Sequence, residues 1–392
     1  MLGTAKVQRL MHQQYDVCRD ALKALLGTCR KVTICLDGWT TKGLTFSYLG
    51  ISASFFDPTS SSPKHYLLSL CELPHPHTAS VVSSVLDNCL GEWGIPAEKV
   101  LVIVSDNGAN MVKAIRLLQE REKKKNEQSE EVVEAEQNDD EAADGEREEE
   151  MEMDDNEEED GACLALPDTV LYRRMACLAH TLQLVIKTVQ KGQYAHVISK
   201  ARRIVGHIRK SSVMAEKLVS RCGKNVVSDC VTRWNSTHMM TQRLLEMKAD
   251  VNSVLGETGI DTLLASEWAK LEEMANLLAP FSCQTDTLQT NCLSLSLVLP
   301  SLMDLECHLQ QHQSTTASAN VLMLADLRTR FSPFLNSQSA NFNPVPAAAC
   351  LLDHTVAPVL LTSDNLQLIE AAKLYLISEV SYCGSYILLI CL

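Results

Sequence analysis

The sequence predicts an α/β protein that contains a mixed β-sheet. Three strand-like runs follow one another, "KVTICLD", "FSYLGISASFFD" and "HYLLSLCEL", and the second alternates as an antiparallel strand does. A helix capped by Thr78 and a fourth strand, "VLVIVSD", come next and give the order βββαβα. This order is typical of an α/β layer. A nucleotide-binding βαβ series is not indicated, because no Gly-rich phosphate loop accompanies any strand.

The fourth strand ends on an acid, and this position is informative. The run is rich in Val and Ile, which predicts a strand that is buried on both faces. Asp106 follows it, and an Asn-Gly step then marks a sharp turn before a helix that begins near Asn110. Because carboxylates are almost never buried without a partner, we expect Asp106 to lie at the mouth of the sheet.

A helix is predicted before the first strand. Residues 4 to 28 place Val7, Leu10, Met11, Val17 and Leu25 roughly on one side. We expect this helix to pack against the segment that follows it.

The charge of the chain is concentrated in one segment. Residues 120 to 160 hold 22 Asp and Glu against 5 Lys and Arg, a net charge of −17 in a chain whose total is −14. The remainder is therefore mildly basic, at +3, which permits contact with nucleic acid. The acidic run has almost no large apolar residues, so we expect a disordered, solvated loop. A segment that competes with DNA for basic partners is the alternative.

The cysteines are expected to be reduced thiols. The chain has 15 of them, but the first residues lack the apolar core of a signal peptide. No Cys-x-x-Cys pair is present, so neither a zinc finger nor another zinc site is predicted from local spacing. The apolar ending "YILLICL" is too short to cross a membrane, which takes roughly 20 residues. We therefore predict no membrane partner.

Beyond the acidic run the pattern becomes helical. A short strand in "RRMA" leads into an amphipathic helix, and from about 195 to 340 apolar residues recur at three- and four-residue spacing. The tail from residue 341 has turn residues and a weak helix from Asp364 to Leu376. The sequence therefore predicts a second, helical domain.

Two acids are candidates for a metal centre. Asp37 ends the first predicted strand in "CLDGWTT", as Asp106 ends the fourth. Two carboxylates on neighbouring strands repel each other unless a cation lies between them, and Mg²⁺ or Mn²⁺ prefers such oxygen ligands. A pair of these ions suits phosphodiester chemistry. The alternative is that both acids only cap turns.

Five motifs, in this order, resemble the RNase H-like domain of hAT-superfamily transposases, and most of all the BED-type zinc-finger proteins derived from them. They are "LDGWTT" at 36, "HTA" at 77, "SDNGANMVKA" at 105, "CLAHTLQLVIK" at 177 and "TRWNSTHMMTQRLLE" at 232. The resemblance runs from about 25 to 375. It implies an RNase H-like core that is interrupted by a large helical insertion.

The resemblance also implies a division of the chain. The expected segments are an N-terminal helix (1–30), the first part of the core (31–119), an acidic disordered insertion (120–162), the continued core (163–192), a helical insertion domain (193–340) and a truncated C-terminal segment (341–392).

Roles for individual residues follow from the same resemblance. Asp37 and Asp106 match the first two carboxylates of a metal-binding Asp-Asp-Glu triad. Cys177 and His180 match a Cys-x-x-His beside the active site, where His180 would contact a DNA phosphate; the alternative is a packed thiol and a helix-start histidine. Trp234, which follows Arg233, matches a Trp that stacks on an extruded base, worth about 1 to 3 kcal/mol. A core anchor is the alternative for Trp234.

Two departures from the family weaken the catalytic interpretation. The third carboxylate of the family lies in a Ser-Glu-Arg segment that also forms its dimer interface, and nothing after residue 341 matches it. We assign this role to neither Glu370 nor Glu379, because their surroundings do not fit. The BED finger is missing too, so the chain resembles a middle piece.

Three functions remain open at this point. The first is a domesticated nuclear protein that binds DNA and chromatin partners, regulates transcription and no longer transposes. The second is an active, metal-dependent DNA transposase represented by an incomplete chain. The third is a protein-interaction scaffold built on the helical domain.

Overall fold

The computed structural model describes residues 4–41, 46–135, 171–230, 233–289, 295–312 and 319–383. The chain divides into two compact units, one that ends at Cys177 and one that starts at Leu178. The first contains the β-sheet and the second is helical.

The first unit is built on a sheet of five strands. They are β1 (Val32–Thr40), β2 (Ser47–Asp57), β3 (Ser62–Leu73), β4 (Val100–Ser105) and β5 (Arg174–Ala176). The strand order is β3-β2-β1-β4-β5. The pairs β1–β2 and β2–β3 are antiparallel, whereas β1–β4 and β4–β5 are parallel. The predicted α/β class and mixed sheet are confirmed.

Two helices cover one face of this sheet. These are α2 (Ala79–Trp93) and α3 (Ala109–Ala135). In β1 the side chains of Val32, Ile34 and Leu36 are buried in a common core with apolar residues of both helices. This alternation follows from the two-residue repeat of a strand. The predicted cap is present, because the Val81 amide donates to Thr78 Oγ1 at 3.3 Å.

The first helix, α1 (Thr4–Thr28), differs from the expectation. Only its last turns reach the core, where Leu26 is buried and Leu22 and Leu25 pack against it. The side chains of residues 4 to 18 are exposed, among them Met11 at 66%. The reason is length: 25 residues of helix extend about 37 Å, further than the core of this unit reaches.

The acidic run is also partly different from the prediction. Helix α3 continues to Ala135 and so includes residues 120 to 135, which were expected to be disordered. The start of this stretch carries both bases and acids, and they form pairs one turn apart, Lys125 with Glu122 at 3.1 Å and Lys123 with Glu127 at 3.7 Å. Pairs of this kind support an exposed helix. Residues 136 to 160 lie outside the described part of the chain.

The second unit consists of twelve described helices besides short 3₁₀ turns. They are α4 (Leu178–Lys191), α5 (Ala195–Lys210), α6 (Ser212–Cys222), α7 (Trp234–Glu246), α8 (Lys248–Thr258), α9 (Ala265–Leu288), α10 (Val298–Gln311), α11 (Ala319–Arg330), α12 (Ser332–Leu335), α13 (Val345–Leu352), α14 (Ala357–Leu360) and α15 (Leu366–Cys383). Trp268 and Phe281 of α9 are among its largest fully buried side chains.

The C-terminal segment is more ordered than the sequence indicated. Helix α13 lies in a stretch for which only turn residues were expected, and Ala347, Ala348 and Cys350 are buried. Helix α15 begins at Leu366 and extends past the predicted end at Leu376. A short Ala-rich run carries little helical periodicity, and tertiary burial stabilises it. Within the described residues no helix combines the length and hydropathy of a membrane span. The ending "YILLICL" lies outside them.

Candidate functional site

Asp37 and Asp106 belong to neighbouring segments of the first unit. Strands β1 and β4 are parallel neighbours, with Thr33 opposite Val102 and Cys35 opposite Val104. Asp37 lies two residues beyond Cys35 in β1, and Asp106 directly follows Ser105, the last residue of β4. Because adjacent strands are about 4.8 Å apart, this pairing brings both residues to the same end of the parallel ladder. That their two carboxylates hold one cation stays a prediction.

The prediction that Asp37 ends its strand is wrong. Strand β1 continues to Thr40, and Asp37 pairs with Gly50 of β2. The reason is that the antiparallel partner β2 is longer than the parallel partner β4. Strand β1 therefore stays paired with β2 beyond the point where its pairing with β4 ends. Asp37 is exposed. At the next position, Gly38, an added Cβ would lie 2.9 Å from Met111 Cε, so a larger residue would require this flexible side chain to shift.

The turn after Asp106 is closed by its own carboxylate. The Gly108 amide donates a hydrogen bond to Asp106 Oδ1 at 3.1 Å. A side chain at Gly108 would crowd the acid, since an added Cβ would lie 3.1 Å from the same oxygen. Asp106 thus caps the turn that follows it, as the alternative interpretation of this acid predicted. Its second oxygen makes no hydrogen bond to the described part of the chain.

A residue that sequence reasoning missed, Arg174, fastens this turn. From β5 its Nε donates to Ser105 Oγ at 3.0 Å, and its Nη2 donates to the Asp106 carbonyl at 2.6 Å. The same Nη2 donates to Asn107 Oδ1 at 2.7 Å. The basic pair in "YRRMA" was the available signal, but only strand pairing places it beside Asp106.

Two of the sequence motifs meet at the start of α3. Asn110 Nδ2, from "SDNGAN", donates to the carbonyl of His77, from "HTA", at 2.8 Å. His77 Nδ1 is in turn 2.8 Å from the Pro74 carbonyl. The residues of both motifs therefore fix the entry of α2 to the turn that carries Asp106.

The donor set at the sheet end suits a hard cation but is small. Carboxylate oxygens are the ligands that Mg²⁺ and Mn²⁺ prefer. Within the described ranges no group of three or more His, Cys, Asp and Glu side chains could hold a metal ion. Burial raises the pKa of the Cys35 thiol, one row below Asp37, to about 11, and the nearby Cys177 adds to this rise. Cys35 is therefore protonated at neutral pH.

Cys177 and His180 form the pair that the sequence predicted beside the active site. The Cys177 amide donates to the Ser105 carbonyl at 2.7 Å and extends the ladder of β5 by one bond. Cys177 ends the first unit, whereas His180 is the third residue of α4 in the second unit. Both side chains are half-buried. The role of His180 on a DNA phosphate stays a prediction.

Arg233 and Trp234 stand at the start of α7 in very different surroundings. Arg233 is the exposed N-cap residue, and its backbone pairs with that of Cys230. Trp234 is 4% exposed and lies near the His238 ring, with 6.2 Å between the ring centroids. This burial is typical of a core anchor. Stacking on an extruded base stays a prediction and requires the indole to leave this packing.

Comparison with known proteins identifies two domains in this chain. Residues 35–132 match the model of the ZBED1 RNase-like domain, and residues 175–277 match that of the ZBED1 RNase-like helical domain. The first match contains Asp37 and Asp106, and the second contains His180, Arg233 and Trp234. Together the two matches account for just over half of the chain.

Two curated proteins are similar to parts of the sequence. Zinc finger BED domain-containing protein 4 of Homo sapiens is 24% identical over 219 residues, which are 53% of this chain and 18% of that protein. The putative transcriptional regulator tpeD of Talaromyces stipitatus is 23% identical over 314 residues, 72% of this chain and 32% of that protein. The matched part thus spans 18% and 32% of the lengths of these two relatives.

The matched domains occur in the predicted order, and the BED-type family that the five motifs resemble includes one of the two relatives. The chain therefore belongs to the family of hAT-transposase-derived BED-type proteins.

Proposed function

We propose that this chain belongs to a nuclear protein that binds DNA, regulates transcription and does not transpose. The observation that carries the proposal is the succession of the ZBED1 RNase-like and RNase-like helical domains in one chain. The similarity to a putative transcriptional regulator, tpeD of Talaromyces stipitatus, supports the regulatory part. Chromatin proteins and a second copy of the chain are further proposed partners.

The charge of the first part of the helical unit supports DNA as a partner. Residues 178 to 228 contain ten Lys and Arg but one acid, Glu216. A cluster of cations in one segment is the electrostatic feature expected of a surface that contacts phosphates.

A second candidate function is metal-dependent cleavage of DNA strands. The pairing of β1 and β4 supports it, since Asp37 lies in one of these strands and Asp106 directly follows the other. When bound there, Mg²⁺ or Mn²⁺ would activate water and stabilise the leaving oxygen. The chain itself would contribute the two carboxylates and the turn that orients Asp106.

Binding of a labelled duplex DNA to the whole chain, followed by fluorescence anisotropy, tests the proposal. We expect binding at about 50 mM salt that weakens strongly towards 200 mM, since released counterions drive contacts to phosphates. An absence of binding at low salt contradicts the proposal and favours a protein-interaction scaffold.

Nicking of a supercoiled plasmid with Mn²⁺ separates the two candidates. The regulator predicts no more nicked product than the doubly substituted chain Asp37→Asn/Asp106→Asn gives. Nicking that the wild-type chain shows and this variant lacks would instead establish the cleavage activity. The matched control is Glu72→Gln, which removes an exposed acid from the edge strand β3.

A further inference from the structure

The helix α5 carries most of the unpaired positive charge of the segment 178–228. Five of the ten cations in this segment form ion pairs with acids, namely Lys200, Arg202, Lys217, Arg221 and Lys224. The remaining five are Lys187, Lys191, Arg203, Arg209 and Lys210, and three of these belong to α5.

The periodicity of α5 explains how this charge is displayed. Val197, Ile198, Ala201, Ile204, Val205 and Ile208 are buried and hold the helix against the unit. The opposite face carries Arg203, His207 and Lys210, all exposed, at positions i, i+4 and i+7. Residues at this spacing lie on one side of a helix. No large apolar side chain is exposed between residues 178 and 212.

A cavity of about 340 Å³ lies along one flank of this face. Its lining includes Arg202, Gly206, Arg209, Lys210 and Ser228. Arg209 Nη1 donates a hydrogen bond to Ser228 Oγ, which holds the guanidinium at the rim. Nothing lies within 4 Å of a Cβ added at Gly206, so the middle of this flank is open.

One acid, Asp229, also lines the cavity, and its charge is already offset. Asp229 Oδ2 accepts a hydrogen bond from Arg202 Nε at 2.8 Å and another from Thr237 Oγ1 at 2.8 Å. Its side chain is 7% exposed. The net charge presented to a ligand therefore comes from Arg203, Arg209 and Lys210.

We infer that this surface, formed by Arg203, Arg209, Lys210 and the cavity beside Gly206, binds the phosphate backbone of duplex DNA. Arg203 and Lys210 are seven residues apart, about 10.5 Å along the helix axis. One strand of B-DNA presents about three phosphates over that length. We choose the backbone of DNA over an acidic peptide because the spacing of the cations along α5 matches that of successive phosphates. Val205 and Met240, which also line the cavity, are buried and add no exposed apolar surface.

The inference rests on the proposed function, because it assigns a surface to DNA binding. The test measures binding of the whole chain to a labelled duplex by fluorescence anisotropy at several salt concentrations. The double variant Arg203→Gln/Lys210→Gln should bind about tenfold more weakly at low salt. Its slope of log affinity against log salt should be smaller by about one for each phosphate contact removed.

The matched control is Lys217→Gln/Lys224→Gln. It changes the net charge of the same unit equally but removes cations that are engaged with Glu257 and Glu246. A second variant, Gly206→Glu, places a carboxylate in the cavity without a clash and should also weaken binding.

The outcomes separate the two claims. If the wild-type chain binds DNA, and the double variant, Gly206→Glu and the control all bind alike, the surface is wrong while the proposed function stands. If the wild-type chain does not bind duplex DNA at low salt, both are overturned. Weaker binding of the double variant and of Gly206→Glu, with an unchanged control, supports the surface.

Discussion

Arg174 donates a hydrogen bond from Nη2 to Asn107 Oδ1 at 2.7 Å and thereby links strand β5 to the turn after Asp106. The same guanidinium also contacts Ser105 Oγ and the Asp106 carbonyl. Three consecutive residues are thus fixed by one side chain. Because a carboxylate must be held in place before it can act as a ligand, Arg174 is a positioning residue for the candidate metal centre.

Removal of this side chain should destabilise the chain. We expect Arg174→Ala to lower the free energy of unfolding by about 1 to 3 kcal/mol, because it leaves half-buried acceptors without their charged donor. Urea unfolding followed by circular dichroism measures the change. The neighbouring Arg173→Ala is the control and should cost less than about 0.5 kcal/mol, since no hydrogen bond or ion pair of its side chain joins it to the described chain. Equal losses would contradict the role of Arg174.

The two aspartates should bind Mn²⁺ weakly and together. Binding should be weak because two carboxylates supply few of the ligands that the ion needs. It should depend on both residues because a bound cation relieves the repulsion between their like charges. We expect Asp37→Asn and Asp106→Asn each to lower the affinity at least about tenfold, equivalent to about 1.4 kcal/mol. Isothermal titration calorimetry checks this, with Glu72→Gln as the control. Binding that survives both substitutions would place the metal elsewhere.

Two tryptophans allow a comparison of buried and exposed indoles. Trp234 is 4% exposed, whereas Trp39 is 44% exposed and stacks on Tyr48. We expect Trp234→Ala to cost about 3 to 5 kcal/mol of stability and Trp39→Ala less than about 1.5 kcal/mol. Thermal and urea unfolding measure both. A small effect of Trp234→Ala would mean that the indole is not packed in solution and is accessible to a base.

The stability of the chain should decrease as the pH falls through the range in which histidine titrates. Burial lowers the pKa of His238, and its Nδ1 has no hydrogen-bond partner in the described chain. The unfolded chain therefore binds a proton more readily, so the stabilisation is complete above the unfolded pKa of about 6.5 and is lost as the pH falls below it.

The substitution His238→Phe should reduce this slope between about pH 7 and 5. Urea midpoints measured over that interval test the effect. The acids Glu246 and Glu257 also have lowered pKa values because of hydrogen bonds from Lys224 and Lys217. Their contribution to the stability is lost only at lower pH, as the pH falls through the usual carboxyl pKa and then through the lowered one. An unchanged slope in the variant would assign the pH dependence to other groups, such as His312, whose pKa burial also lowers.

Much of the sheet could be predicted because its signals are local. Alternation marks β2, an unbroken apolar run marks β4, and Thr78 with its amide partner fixes the start of α2. The adjacency of β1 and β4, which carry or precede the two aspartates, was expected from the order of the elements. By contrast, the extension of β1 to Thr40 depends on the length of β2, and no feature of β1 itself encodes that length.

The sequence alone determined the α/β class, the mixed sheet, the helical second part and the motifs that identify the family. Only the tertiary structure decided that Arg174 fastens the Asp106 turn, that Trp234 is buried and that α1 projects beyond its core. The physical reason is the range of the interactions. Periodicity and caps act between residues a few positions apart, whereas burial and strand pairing depend on partners brought together by the whole fold.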